Sequence, residues 1–568
     1  MNKNLASQLL HLEECRHLYG RGAPRRVEQA LGGFKDAEFS DAESLARFHD
    51  ALLFLRAFPQ SRKVVRLTEN LLAGVGAQVA RLRDSGASLE LFDDEQFSGV
   101  AGATITDTFT YEVARWLAQR YPGQLTVDWN LDEQGRQMAI SLPRFLPLLA
   151  DDSLVEADTP YLDWLSKAAG GAEMILPWLL RRLEDAASPI LEKTAWYDAL
   201  KINVTWDLGE SAASRTRARR NPREMYLHRE PLIRRNQVSL ADEMSSPPLA
   251  VRKLSRREGE GLLDTVREAL TVRYRELYGT TRGDPESVVE ADVGRGLRIF
   301  LWGLPPGRRL PLRAYHAGIT FKNGVPINYI EGISLFEWME VGFNTFYAFR
   351  DGETAWIYSK VLHLLHQLTG VTCISVYPYQ LGHENEEAIK SGAFWFYRKL
   401  GFRPGRPELL ALTQREEAKM ARDPSHRTSA STLRKLAAHH VFYEFGEGPR
   451  CLWDTFAARN VGLAVQQRMA QQFNGDPGKM RKATTAALAP ILGVDTGKWT
   501  ELQRTAFEDF AVVLSLTPEI RGWSSAEKQA LVSILRAKVS ANEAEYFRRM
   551  QKHDALKRVV LKVGSATG

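Results

Sequence analysis

Cysteine is scarce in this chain, and long hydrophobic runs are missing from it altogether. Three cysteines, Cys15, Cys373 and Cys451, are scattered over 568 residues. An odd number at such spacings excludes a disulfide framework and points to a reducing compartment. No run of about 18 apolar residues occurs, and the first residues lack a long apolar stretch, so neither a membrane span nor a signal peptide is expected. An apolar fraction of 44% with 25% charged residues excludes a disordered polyelectrolyte. The expectation is a cytoplasmic protein of ordinary globular composition, too long for a single core.

Net charge is small, +6, and it is local. Between Ser214 and Arg235 eight arginines (Arg215, Arg217, Arg219, Arg220, Arg223, Arg229, Arg234 and Arg235) face only Glu224 and Glu230, which accounts for the whole excess. Such a segment could meet the phosphates of RNA or an acidic protein partner, with Arg215, Arg217, Arg219 and Arg220 leading. The plainer alternative is a solvated connector whose arginines pair with acidic faces of neighbouring domains.

Residues 1–213 read as a mostly helical N-terminal domain. Asp41 can cap a helix through Phe48, Leu52, Leu53 and Leu55, and Ser61–Arg83 is a second periodic run. A small hairpin is expected around Glu133-Gln134-Gly135. His11 and Cys15 share a helix face, but no second ligand pair is near, which favours a structural role over a metal. A basic linker, 214–246, leads to a domain at 247–410. A polar linker, 411–432, then precedes a helical C-terminal domain, 433–568, where Ser524 and Glu527 form a capping box.

The middle domain carries the chemistry. LAVRKLS reads as a strand followed at once by a helix from Arg256, and three further strand candidates lead up to a fourth, Trp338–Phe349. Asn323-Gly324 marks a hairpin, because both positions of its turn need positive φ. A turn at Asp351-Gly352, an amphipathic helix, the short apolar strand TGVTCISVYP and a last helix ending near Gly401 complete a βαβ unit with a parallel pair of strands. His363 and His366 stand one turn apart on the first of those helices without a third ligand, and are read as structural.

The string AFWFYRKLGF (Ala393–Phe402) resembles the last helix and following strand of the GNAT acyltransferase superfamily, and the order of elements over about 247–410 is similar to that family's. The resemblance implies an α+β multidomain protein whose central mixed sheet is flanked by all-α N- and C-terminal domains. It implies acetyl-CoA or another acyl-CoA as co-substrate, no metal, and transfer of the acyl group to an amine, possibly that of a macromolecule. The pyrophosphate loop would be Phe349, Arg350, Asp351, Gly352, Glu353, Thr354 and Ala355; Glu353 stands where the family pattern has glycine. Asp351 and Glu353 are expected as water-facing first-turn residues.

Tyr397 would correspond to the tyrosine that protonates the departing thiolate. Glu340, then Glu337, is the choice for the carboxylate base on the strand, with Glu331 also in the region. Asn385 is a weaker correspondence, because Tyr397 follows it at too long a spacing for one regular helix. Two other readings stay open: a transferase taking aminoacyl groups from tRNA, and a catalytically inactive GNAT-fold binding scaffold.

Overall fold

The computed structural model describes residues 3–129, 137–138, 140–145, 160–222, 224–446 and 450–565. The expected hairpin tip at 133–135 and Arg223 lie outside the described residues. No described helix is long and apolar enough to cross a membrane. The chain is α+β and falls into two compact units. The first comprises Met1–Pro231, Leu262–Thr281 and Asn323–Pro326; the second comprises Leu232–Gly261, Arg282–Lys322 and Ile327–Gly568. The segment 214–246 is therefore shared between the units, and 433–568 belongs to the same unit as most of the middle domain.

The first unit is not all-helical. Strands β1 (Thr104–Asp107), β2 (Leu125–Asp128) and β3 (Asn203–Asp207) make an antiparallel sheet in the order β1-β3-β2. Alternation in β3 sends Val204 and Trp206 into a core with Leu117, Leu179 and Tyr197. Asp41 caps the helix Ala42–Ala57 by accepting from Ser44 N–H at 2.8 Å. Gly74 splits the expected run at 61–83 into two helices, Arg62–Ala73 and Val75–Asp84.

The first arginines of the basic segment are engaged within this unit. Arg215, with 1% of its side chain exposed, donates to the carbonyls of Gln96 and Ser98 at 2.6 and 3.1 Å and lies 3.4 Å from Asp50. Arg217 pairs with Glu210, and Arg219 with Glu69 at 2.8 Å. A guanidinium buried on backbone carbonyls cannot reach a phosphate, so the phosphate-facing expectation is corrected at Arg215. The alternation of arginine with small residues gave no hint that this side turns inward.

The second unit is built on a nine-stranded mixed sheet, in the order β11-β12-β10-β9-β8-β7-β6-β5-β4. Its strands are β4 (Val251–Lys253), β5 (Val289–Asp292), β6 (Leu297–Trp302), β7 (Ala314–Lys322), β8 (Val325–Leu335), β9 (Trp338–Thr345), β10 (Cys373–Val376), β11 (Arg403–Pro404) and β12 (Val441–Glu444). Asn323 and Gly324 take the positive φ, 49° and 82°, that the turn between β7 and β8 requires. The crossover helix Thr354–Thr369 buries Ile357, Val361, Leu364 and Leu365 and stops at Gly370, in the left-handed region at φ 76°. It brings β10 back parallel to β9.

Strand β12, within the stretch expected to be all helix, slots between β10 and β11, so the sheet extends beyond the expected middle domain. The expected polar linker contains most of a helix, Pro407–Arg422. The capping box at Ser524 and Glu527 forms, and Tyr546, Phe547 and Met550 are fully buried. His363 Nδ1 donates to the Glu243 carboxylate at 2.8 Å and His366 Nδ1 donates to the Val371 carbonyl at 2.6 Å, so each ring is held by a protein acceptor.

Candidate active site

Strand β9 is paired along its whole length on one side and only over its first residues on the other. Its antiparallel partner β8 follows it from Leu335↔Trp338 to Asn328↔Thr345. Its parallel partner β10 stops at Ser375↔Glu340. From Val341 to Thr345 the strand runs on without β10 beside it. Such an edge leaves backbone N–H and C=O groups for another partner.

The same strand leads through the short turn Tyr347–Phe349 to the crossover helix. The helix begins at Thr354, so the N–H groups of Thr354, Ala355 and Trp356 have no carbonyl one turn earlier inside it. That tip and the helix dipole favour an anion. Arg350 is exposed beside it, stacked on the Tyr347 ring at 3.9 Å and ion-paired with Glu387. Phe349 and Ala355 are buried, and Gly352 N–H donates to the Phe349 carbonyl at 3.0 Å.

Glu353 overturns the expectation of a water-facing carboxylate. It is fully buried beneath the helix start, 2.8 Å from the Lys322 ammonium, ion-paired with Arg295, and within 3.2 Å of the Ile233 N–H. Burial alone would raise its pKa, but Lys322 and Arg295 outweigh that and hold it lowered. Burial pulls Lys322 down to about 8, with Glu353 holding it up against a larger fall. The carboxylate thus points into the sheet and is neutralised there, away from the solvent side of the loop. Its partners lie 31 and 58 residues upstream, which no local pattern discloses.

Tyr397 is buried in an aromatic cluster with Tyr358, Phe396 and Phe402. Its hydroxyl donates to Gln380 Oε1 at 3.2 Å, and that same oxygen lies 3.5 Å from the Phe343 N–H on the open edge. The phenol is thus linked to the β9 edge through Gln380. Burial raises its pKa, so it keeps its proton at neutral pH. Glu340, at the last position of β9 paired with β10, accepts from His440 Nε2 at 2.7 Å, and His440 packs edge-on against Tyr377. Alternation places Glu340 and Gly342 on one face of β9, and Gln380 stands over Gly342.

Glu337 does not join this group. It accepts from Trp453 Nε1 at 3.2 Å and lies 3.4 Å from Lys557 Nζ, which fixes it to the helical end of the unit. Asn385 is also elsewhere employed, capping the helix Glu386–Ser391 through the Ala388 N–H at 3.1 Å. Glu331, across from Gly342 on β8, accepts from the Tyr315 hydroxyl.

Gln380, His440 and Tyr358 were missed at the level of sequence. Gln380 sits in YPYQLG with nothing to mark it, and His440 reaches Glu340 across 100 residues. The one metal-like donor group among the described residues, Glu444, Cys451 and Asp454, is occupied by the Arg403 guanidinium, 2.6 Å from Glu444 and 2.7 Å from Asp454.

No protein-family model, curated protein or solved structure matches this chain.

Proposed function

We infer that the second unit is an acyl-CoA-dependent N-acyltransferase of GNAT-like arrangement, moving an acyl group, most plainly acetyl, to an amine. The observation that carries this reading is the end of the β9–β10 pairing at Glu340↔Ser375, with a helix N-terminus following the same strand. Backbone amides at Thr354–Trp356 would receive the donor's pyrophosphate, and Arg350 stands beside them. The inward turn of Glu353 removes the repulsion its charge would otherwise offer, because two cations already neutralise it.

In the reaction the amine nitrogen bonds to the acyl carbon and the carbon–sulfur bond breaks. Glu340, next to His440, takes the proton of the attacking ammonium, and Tyr397 holds a proton for the departing thiolate. The tRNA-dependent alternative keeps the exposed Arg229 and Arg234 but not Arg215, which is buried.

Calorimetry with acetyl-CoA tests the reading, with saturable binding expected below about 1 mM. Thr354→Glu is the informative variant. An acidic residue in the first helical turn suits the helix itself but competes with an anion at its tip, so binding is expected to weaken at least about tenfold in a folded protein. Absence of binding by the unmodified protein at millimolar acetyl-CoA would remove the proposal. Binding unaffected by Thr354→Glu would move the donor away from this helix.

A further inference from the structure

The open edge of β9 is not empty. The short helix Pro378–Leu381, directly after β10, places the carboxamide of Gln380 against it. Its oxygen accepts from Tyr397 at 3.2 Å and faces the Phe343 N–H at 3.5 Å. Its nitrogen would lie 2.9 Å from a Cβ built on Gly342, so a side chain at this position would push the carboxamide from where it rests. A primary carboxamide offers the same carbonyl acceptor and N–H donor as a secondary amide in an extended chain. Gln380 thus imitates, within the protein, a strand-like ligand laid along the edge.

An unsatisfied group lies close by. Tyr358, on the crossover helix, packs its ring against Phe343 at 4.9 Å and Tyr397 at 5.8 Å between centroids. Its hydroxyl is wholly buried and has no hydrogen-bond partner among the described residues. A buried hydroxyl left unpaired is unfavourable, and an incoming polar group would relieve it.

We propose that Gln380 is a built-in competitor for the amide-bearing arm of the acyl donor, and that the donor binds by displacing it from the β9 edge. This rests on the transferase reading and adds a regulatory step to it. The free protein holds its own amide on Phe343 and Tyr397, and only the fraction with Gln380 turned out is competent. Displacement also frees the Tyr397 hydroxyl, so the acid becomes available when the donor is in place. Side-chain rotation at one residue is enough, since the backbone of Pro378–Leu381 is anchored separately by Asn385 Nδ2 on the Tyr379 carbonyl.

The test compares the unmodified protein with Gln380→Ala and Gln380→Leu. Acetyl-CoA is titrated calorimetrically, and hydrogen exchange of the Phe343 amide is followed by NMR or mass spectrometry. Removing a competitor held by one or two neutral hydrogen bonds should tighten binding about tenfold in Gln380→Ala. Phe343 exchange should quicken in both variants without donor and slow in all three proteins when donor is added. Equal affinities with unchanged Phe343 exchange would overturn the competitor while leaving the transferase standing. Weaker binding in Gln380→Ala would make the side chain a donor contact, which also overturns it. No binding by any of the three proteins would remove both this proposal and the transferase reading.

Discussion

Glu353 is the residue at which sequence and structure part most sharply. A carboxylate in a suspected phosphate loop reads as a defect; in three dimensions it is the counter-ion of Lys322, and neither side chain has any exposed surface. Buried pairs of this kind add little over apolar side chains of equal size, yet losing one partner leaves an uncompensated charge. Glu353→Ala is therefore expected to destabilise the protein by roughly 3 kcal/mol in urea unfolding, and the double change Lys322→Met with Glu353→Leu to recover most of it. A single-variant cost below about 0.5 kcal/mol would mean that the pair is solvated. The sign with pH follows from the lowered pKa: Glu353 contributes stability above its ordinary carboxylate range and loses it as pH falls through its lower folded value. Sequence could supply the residue but not its partners, because a Lys–Glu pair formed across a sheet and a helix start has no periodic signature.

At the scale of elements, the alternation in β9, the Asn-Gly turn before β8 and the 3.6-residue rhythm of the crossover helix were all legible, since each is set by neighbours in sequence. The excess spacing between Asn385 and Tyr397 was legible as an anomaly but not its form. The structure resolves it into two short helices, Glu386–Ser391 and Ala393–Arg398, separated by Gly392 at φ 66°. Nothing lies within 4 Å of a Cβ placed on Gly392, so an alanine there meets only backbone strain. Gly392→Ala is expected to cost about 1 kcal/mol in denaturant midpoint, the penalty of a left-handed alanine. A neutral or stabilising effect would mean that the two helices fuse into one, which would also rotate Tyr397 away from Gln380. β12 escaped notice for the converse reason. A four-residue strand becomes visible only through the partners that flank it, and β10 and β11 lie far away in the chain.

For the whole molecule, length and composition announced several domains, but the chain's division into units could not be read from composition, because segments of the middle region return to the first unit. Both units nevertheless share one acid-sensitive feature, a histidine held neutral. His49 in the first unit, bonded to Thr216 Oγ1 at 3.0 Å, is lowered by burial and then by Arg215, Arg56 and Arg273, with Asp50 the nearby opposing charge. His316 in the second, bonded to Ser334 at 3.2 Å, is lowered to about 4 by burial and by Lys538. A base whose folded pKa lies below its unfolded value of 6.5 stabilises fully above that value. As pH falls from there toward about 4, the unfolded chain takes up the proton first and stability is lost. Urea midpoints are therefore expected to drop between about pH 7 and pH 5. The drop should be shallower in His316→Gln for the second unit and in His49→Gln for the first, each unit followed by hydrogen exchange of its own core strands. A midpoint independent of pH over that range would show that these imidazoles are solvated, and an unchanged slope in both variants would assign the acid loss to the carboxylates alone.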